Sequence, residues 1–381
     1  MTTTRLLTTS VAVLWASLLA ACGPNIPATI KLGVAQPLSG PSAARGQDLL
    51  NGVKLAAAEL NASGYKIAGK TVRIEVVAMD DRADKEEAKK VAQALVDQKV
   101  IAVIGHLSSD VTEVVIPIYK NGNVPQLFTS SAAELTRLGA GNAFRIVAND
   151  TLQARAIASY AAETLNAHKL AILSEDTAYG KPMAKDVAAA FVKADRKIDL
   201  TESVDNKSTD FGAFVAKLKA APPDALVAVV RDHQLLPLFA QMNAAGLSGM
   251  PVIVTSAAKT RKLVTGPADV KTVFLTSSSL DPGEFTAGGP FVTRFRAAYK
   301  ADPVWAAHYA YDAVFVLADA MRRADSVEAA ALRAKLTTID AVAPVTNTMR
   351  FNADGEQRYG AVGVYQKRDG AWQPLMRSDV W

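Results

Sequence analysis

Short, wholly apolar runs alternate with amphipathic stretches along most of this chain, and that pattern leaves few architectures open. Ile30–Ala35 is an apolar run of strand length. From Gly46 to Asn61 the spacing of Leu49, Leu50, Val53, Leu55 and Leu60 is helical. Thr71–Met79 predicts a strand, Asp84–Asp97 an amphipathic helix, Val100–Ile104 a buried strand, Asp110–Lys120 a helix and Val124–Phe128 another strand. The series then restarts. It predicts helix Leu152–Asn166, strand Lys169–Leu173, helix Pro182–Ala194, strand Lys197–Ser203, helix Phe211–Ala220, strand Ala225–Val230, helix Gln234–Ala245 and strand Val252–Val254. Strands that are apolar on both faces need cover on both faces, so the expected class is α/β, with two doubly wound parallel-sheet lobes. Sheets of this kind take ligands at the carboxyl ends of their strands.

The last third does not build a third unit. It predicts helices at Phe291–Lys300, Ala306–Ala324 and near Val327–Leu336, and a closing hairpin of Ala361–Gln366 with Ala371–Met376. Asn352-Ala353-Asp354-Gly355 and Arg368-Asp369-Gly370 are turn signals. These elements are expected to complete the two earlier units by several chain crossings, which makes a hinge and a cleft. The expected division is 29–147 with 280–345 for one lobe and 148–279 with 346–381 for the other.

The amino end reads differently. Arg5, an apolar run from Val11 to Ala21 and a small-residue cut site form a secretory signal, 1–21, followed by a polar linker, 22–28. The apolar run falls short of the about 20 residues that span a bilayer. Leu19-Ala20-Ala21-Cys22 resembles the lipobox of bacterial lipoproteins. That resemblance implies cleavage before Cys22, lipidation of its thiol and anchoring at a membrane, with the protein in the periplasm or at the cell surface. The alternative is an ordinary signal peptide with a cysteine near its cut. Cys22 is the one cysteine of 381 residues, so no internal disulfide exists and stability must come from packing.

Charge excludes several classes. The 42 basic and 37 acidic residues are interspersed, as in Arg82, Asp84, Lys85, Glu86, Glu87, Lys89 and Lys90, and read as solvated helix faces. There is no basic block with interleaved aromatics, so no nucleic-acid partner is expected. The four histidines lie far apart in no metal-ligand spacing, and no metal or cofactor is expected. No Gly-x-Ser-x-Gly elbow, phosphate loop or His-Glu-x-x-His is present, so the chain does not read as an enzyme.

Six segments in order bring a family to mind: Lys31-Leu-Gly-Val-Ala-Gln-Pro-Leu-Ser-Gly-Pro41, Asp80-Asp81-Arg-Ala-Asp84, Val103-Ile-Gly-His-Leu-Ser-Ser109, Ser130-Ser131-Ala-Ala-Glu-Leu-Thr136, Tyr179-Gly180 and Tyr309-Ala-Tyr-Asp-Ala313. Across nearly its full length the mature chain resembles periplasmic solute-binding proteins of the leucine/isoleucine/valine-binding type, the receptors of ABC importers. The resemblance implies a type I periplasmic binding fold, with two lobes on a three-strand hinge closing over a small solute. It also implies a membrane permease and ATPases as partners of a monomeric receptor. The solute it implies is a small carboxylate, by default a branched-chain or other amino acid.

The resemblance also nominates residues. Ser109 opens a helix, where free N–H groups favour a carboxylate, and its family counterpart binds the solute's α-carboxylate. Ser109 or Asp110 could instead only cap that helix. In Phe128-Thr129-Ser130-Ser131-Ala132 the family uses a carbonyl matching Thr129 and a hydroxyl matching Ser131, and Ser130 stands between them. Tyr179 matches an aromatic that folds over the ligand, with a packed surface tyrosine as the alternative.

Five positions depart from the family pattern. Arg231 stands where relatives often have tyrosine; it could pair with a second anionic group or point to water beside a capping Asp232. Ser256 stands where an acid commonly neutralises the α-ammonium, and serine cannot supply that charge. Asp232 and Asp281 are the acids that could substitute. Arg45 stands where relatives often have an aromatic. Ala83 and Ser108 occupy positions that form a disulfide in many relatives. An aromatic acid or dicarboxylate lacking the amine is therefore the rival solute, and a sensor partnered with a membrane receptor is the rival role.

Overall fold

A computed structural model describes residues 25–379 apart from 268 and 339. Cys22 and the signal segment lie outside the described residues. Two sheets organise the chain. The first has five parallel strands in the order Arg73–Asp80, Thr29–Gln36, Ala102–Gly105, Gln126–Phe128, Ala143–Arg145. The second has seven, in the order Ala371–Arg377, Gly363–Arg368, Val273–Ser277, Val252–Val254, Ala225–Val229, Lys169–Glu175, Lys197–Val204. Five of its strands run parallel, as expected. The hairpin Gly363–Arg368 with Ala371–Arg377 joins antiparallel at one edge, against Val273–Ser277.

Helices cover both faces because the strands between them carry no polar face: Ala102–Gly105 and Ala225–Val229 are buried at every residue. One core gathers the apolar faces of helix Ala43–Ala62 and helix Ala307–Ala324 against the first sheet. Two further cores flank the second sheet. The chain crosses between the sheets three times, after Arg145, after Ser277 and before Gly363. Among the described residues no helix is long and apolar enough to cross a membrane.

Local signals set the helix starts that face the cleft. Asp84 caps Lys85–Asp97 by accepting from the N–H groups of Glu86 and Glu87, each at 2.9 Å. Two strands of these two sheets escaped the apolar pattern, Ala143–Arg145 and Val273–Ser277. The first contains a buried arginine, and the second ends in buried hydroxyls.

Candidate functional site

The carboxyl ends of both sheets face one cavity of about 490 Å³, within the range that holds small ligands. Two glycines shape its walls. Gly105 ends its strand at φ +154°, and a Cβ there would lie 2.1 Å from the Ala35 carbonyl oxygen, so the turn toward Ser108 requires glycine. A Cβ on Gly180 would lie 2.1 Å from the Glu175 carbonyl oxygen. Glycine therefore lets the turn carrying Tyr179 fold back on the end of strand Lys169–Glu175.

Ser109, Thr129, Ser131, Tyr179, Arg231, Ser256 and Arg45 all line this cavity. Ser130 does not. Its hydroxyl meets Thr112 Oγ1 at 2.5 Å and donates to the His106 carbonyl at 3.1 Å, inside the first lobe. The expectation of a ligand contact from Ser130 is corrected on that ground: its neighbours on either side face the cavity, and it faces the interior. Thr129 is buried and its Oγ1 has no hydrogen-bond partner. Ser109 Oγ accepts from the Ala132 N–H at 3.3 Å, which ties the two serine loops together. Asp110 does not cap its helix; its Oδ1 accepts from the Ala178 N–H at 3.0 Å, linking the lobes across the cleft.

On the opposite wall Tyr179 donates its hydroxyl to Thr255 Oγ1 at 2.6 Å. Burial, aggravated by Asp150, pushes that phenol well above its ordinary range, so it stays protonated. Arg231 does not point to water. Its guanidinium reaches the fully buried Glu175 Oε1 at 3.1 Å while still lining the cavity. Asp232 lies one residue inside its helix rather than at the cap; its Oδ2 accepts from Thr260 at 2.9 Å.

Ser256 is fully committed. Its hydroxyl accepts from Gln153 Nε2 at 2.7 Å and from the Ser278 N–H at 2.8 Å. Asp281 is engaged as well, at 2.8 Å from Lys259 Nζ. Among the described residues seven lysines and arginines line the cavity, and Asp232 contributes its one lining carboxylate.

Several residues of the site carried no sequence signal. Trp305 lines the cavity and lies beneath Arg45, whose guanidinium carbon is 4.0 Å from the indole centroid. Burial, and next the neighbouring Arg231 guanidinium, lower Arg45 to about 10, so it remains a cation at neutral pH. Lys259 is buried at the cavity wall above the Tyr365 ring. Glu175 could have been found, because it ends an apolar strand just before Tyr179.

Asp150 stands behind Ser131, donating its N–H to the Ser131 carbonyl at 2.8 Å. Burial pushes its carboxyl up to about 7, against the pull of the Ser131 hydroxyl and of Arg145; Glu134 and Asp186 add to the rise. An unfolded aspartate ionises near 3.8. Between those values the native chain holds the extra proton, so stability is present at low pH and is lost as pH rises through about 7. Asp150→Asn is therefore expected to stabilise the protein at pH 8 by up to roughly 4 kcal/mol and to change little at pH 4. Urea midpoints at the two pH values check this; an equal change at both would contradict it.

A family model described as periplasmic binding protein matches residues 29–371. The chain belongs to the periplasmic binding protein family. It is 30% identical over 275 residues to an amino acid binding protein of Pseudomonas aeruginosa, covering 71% of this chain and 72% of that one. Among solved structures it is similar to the branched-chain amino acid transporter substrate binding protein LivJ of Streptococcus pneumoniae in complex with isoleucine. The TM-score is 0.78 at 26% identity, with 91% of this chain and 99% of that chain covered. It is also similar to a solute binding protein of an ABC transporter from Rhodopseudomonas palustris BisB5 in complex with 3,4-dihydroxybenzoic acid. Here the TM-score is 0.79 at 21% identity, over 92% and 97% of the two chains. This periplasmic binding protein has a type I fold, of two parallel-sheet lobes. Its family and fold are those of solute receptors, not enzymes.

Proposed function

We propose that this binding protein is a lipid-anchored importer receptor that captures a small carboxylate lacking an α-ammonium, an aromatic acid or a dicarboxylate. One observation carries the reading. The position where an acid would meet the ammonium is Ser256, whose hydroxyl is spent on Gln153 and Ser278. Glu175 and Asp281 are already paired with cations, and the wall is predominantly cationic. A buried ammonium there would lack a counter-charge, which is costly, whereas a carboxylate would not. The fold itself is indifferent, since similar structures hold isoleucine in one case and 3,4-dihydroxybenzoic acid in another.

The carboxylate would sit on Ser109, Ser131 and the amino end of helix Ser109–Asn121, with Tyr179 closing over it. Capture is the whole mechanism. The solute stabilises the closed form only as far as it binds that form more tightly, and the permease reads the closed shape. An amino acid solute is the second reading, favoured by the similarity to the Pseudomonas aeruginosa amino acid binding protein; Asp232 would then have to serve its ammonium.

A thermal-shift panel of amino acids, aromatic carboxylates and dicarboxylates tests the reading. Amine-free acids are expected to raise the melting temperature and leucine, isoleucine and valine to leave it unmoved. A response confined to amine-bearing ligands would reject it. Ser109→Ala and Ser131→Ala should each weaken the bound acid roughly tenfold, about 1.4 kcal/mol. The anchor through Cys22 has its own readout: Cys22→Ser should leave the membrane fraction, and retention there would remove the lipid from the proposal.

A further inference from the structure

We propose that the solute carries a second anionic group, clamped between Arg45 of one lobe and Arg231 of the other. This rests on the amine-free reading above and names the solute as a dianion. Arg45 lies at the start of helix Ala43–Ala62, packed on the first sheet, and Arg231 follows strand Ala225–Val229 of the second. Both line the same cavity. They reach the cavity from the two lobes and each feels the other's charge, so closing the cleft over an empty or neutral content presses two like charges together. An anion between them reverses the sign of that contact.

Three features mark Arg45 as a poised ligand group rather than a surface arginine. Among the described residues its guanidinium makes no hydrogen bond and no ion pair, and its Nε is buried without a partner. It is held over the Trp305 face at 4.0 Å, so little freedom remains to be lost on binding. The Trp305 Nε1, also buried and unpartnered, stands in the same wall as a further donor. Arg231 has only part of its fork in use, since its Nε and one terminal nitrogen both go to Glu175 Oε1, at 3.3 and 3.1 Å. Its other terminal nitrogen makes no hydrogen bond among the described residues. Planar forks from two sides suit a carboxylate, which accepts at both oxygens.

Arg45 is the variant to make, because Arg231→Gln would strand the buried Glu175. Calorimetric titration of the full chain would use three matched pairs: butyrate with succinate, valerate with glutarate, benzoate with terephthalate. In at least one pair the dianion is expected to bind tenfold or more tighter than its monoanion. Arg45→Gln should bring that dianion to the monoanion's level and leave the monoanion within threefold of its wild-type affinity. Arg45→Lys, which keeps charge but not the fork, should fall between. Dianions no tighter in any pair, no dianion binding at all, or an Arg45→Gln loss equal for both members would overturn the clamp. If monoanions still outbind leucine, isoleucine and valine in that case, the amine-free reading survives; binding of amine-bearing ligands alone would remove both.

Discussion

Arg145→Met is expected to cost about 3–5 kcal/mol of folding stability, a large part of what holds a domain together. Arg145 is fully buried at the last strand of the first sheet. Its guanidinium donates to the carbonyls of Ser130 and Ala132, the latter at 2.6 Å, and pairs with Glu356 at 3.1 Å. Glu356 in turn accepts from Thr136 at 2.8 Å and from Asn149 at 3.3 Å. One cation thus ties the serine loop of the cleft to the first crossing and to a turn near the carboxyl end. Methionine fills much of the volume but leaves two buried carbonyls and a carboxylate without their donor. Urea unfolding measures the loss. Adding Glu356→Gln to Arg145→Met should recover part of it, since the stranded charge is then gone. A single variant within 1 kcal/mol of wild type would show that the network carries little. Because the guanidinium holds the Ser130 and Ala132 carbonyls on either side of Ser131, solute affinity should fall with stability.

Asp48→Ala is expected to cost about 3 kcal/mol of folding stability. Asp48 is buried on helix Ala43–Ala62, and its carboxylate collects four backbone N–H groups: Val304 at 2.8 Å, Trp305 at 3.1 Å, Ala306 at 3.0 Å and Ala307 at 2.9 Å. Val304 and Trp305 belong to the loop that enters helix Ala307–Ala324, while Ala306 is its N-cap and Ala307 its first residue, so the carboxylate fixes the entering loop, satisfies donors at the helix start and complements the helix dipole together. Alanine orphans all four. The substitution Asp48→Asn keeps one acceptor oxygen and should lose less than half as much. Thermal melts of both variants order them, and an asparagine variant no better than alanine would refute the cap. Trp305 hangs from this cap and carries Arg45, so the alanine variant should also weaken any dianionic ligand.

The strands that build the sheets were legible because burial on both faces leaves an apolar run, and the helices because one face repeats with helical spacing. Ala143–Arg145 was not legible, for a physical reason. An arginine in a strand reads as solvent-facing unless its partner is known, and Glu356 lies 211 residues away. Val273–Ser277 was missed because its Thr276 and Ser277 are polar in sequence yet fully buried, with Ser277 bonded to the Ser279 carbonyl at 2.7 Å.

At the cleft, sequence reasoning found the loops but not the bonding within them. Thr129, Ser130 and Ser131 are three consecutive polar residues, and only the surroundings assign the middle one to the interior. Ser256 lines the cavity as expected, but the donor that occupies it, Gln153, comes from another element 103 positions earlier. Trp305 carried no signal of a site role, because nothing near it in the chain points to Arg45.

Local pattern alone determined that this chain makes two strand-and-helix lobes with hydroxyls at the strand ends, since periodicity reports which face of each element is buried. Tertiary structure alone decided which of those polar groups are free: Arg45 stays unpaired over Trp305 and Arg231 gives only part of its fork to Glu175, while Asp281 and Ser256 are taken. Whether a charge has a partner depends on atoms brought together from distant parts of the chain, and no periodicity records that.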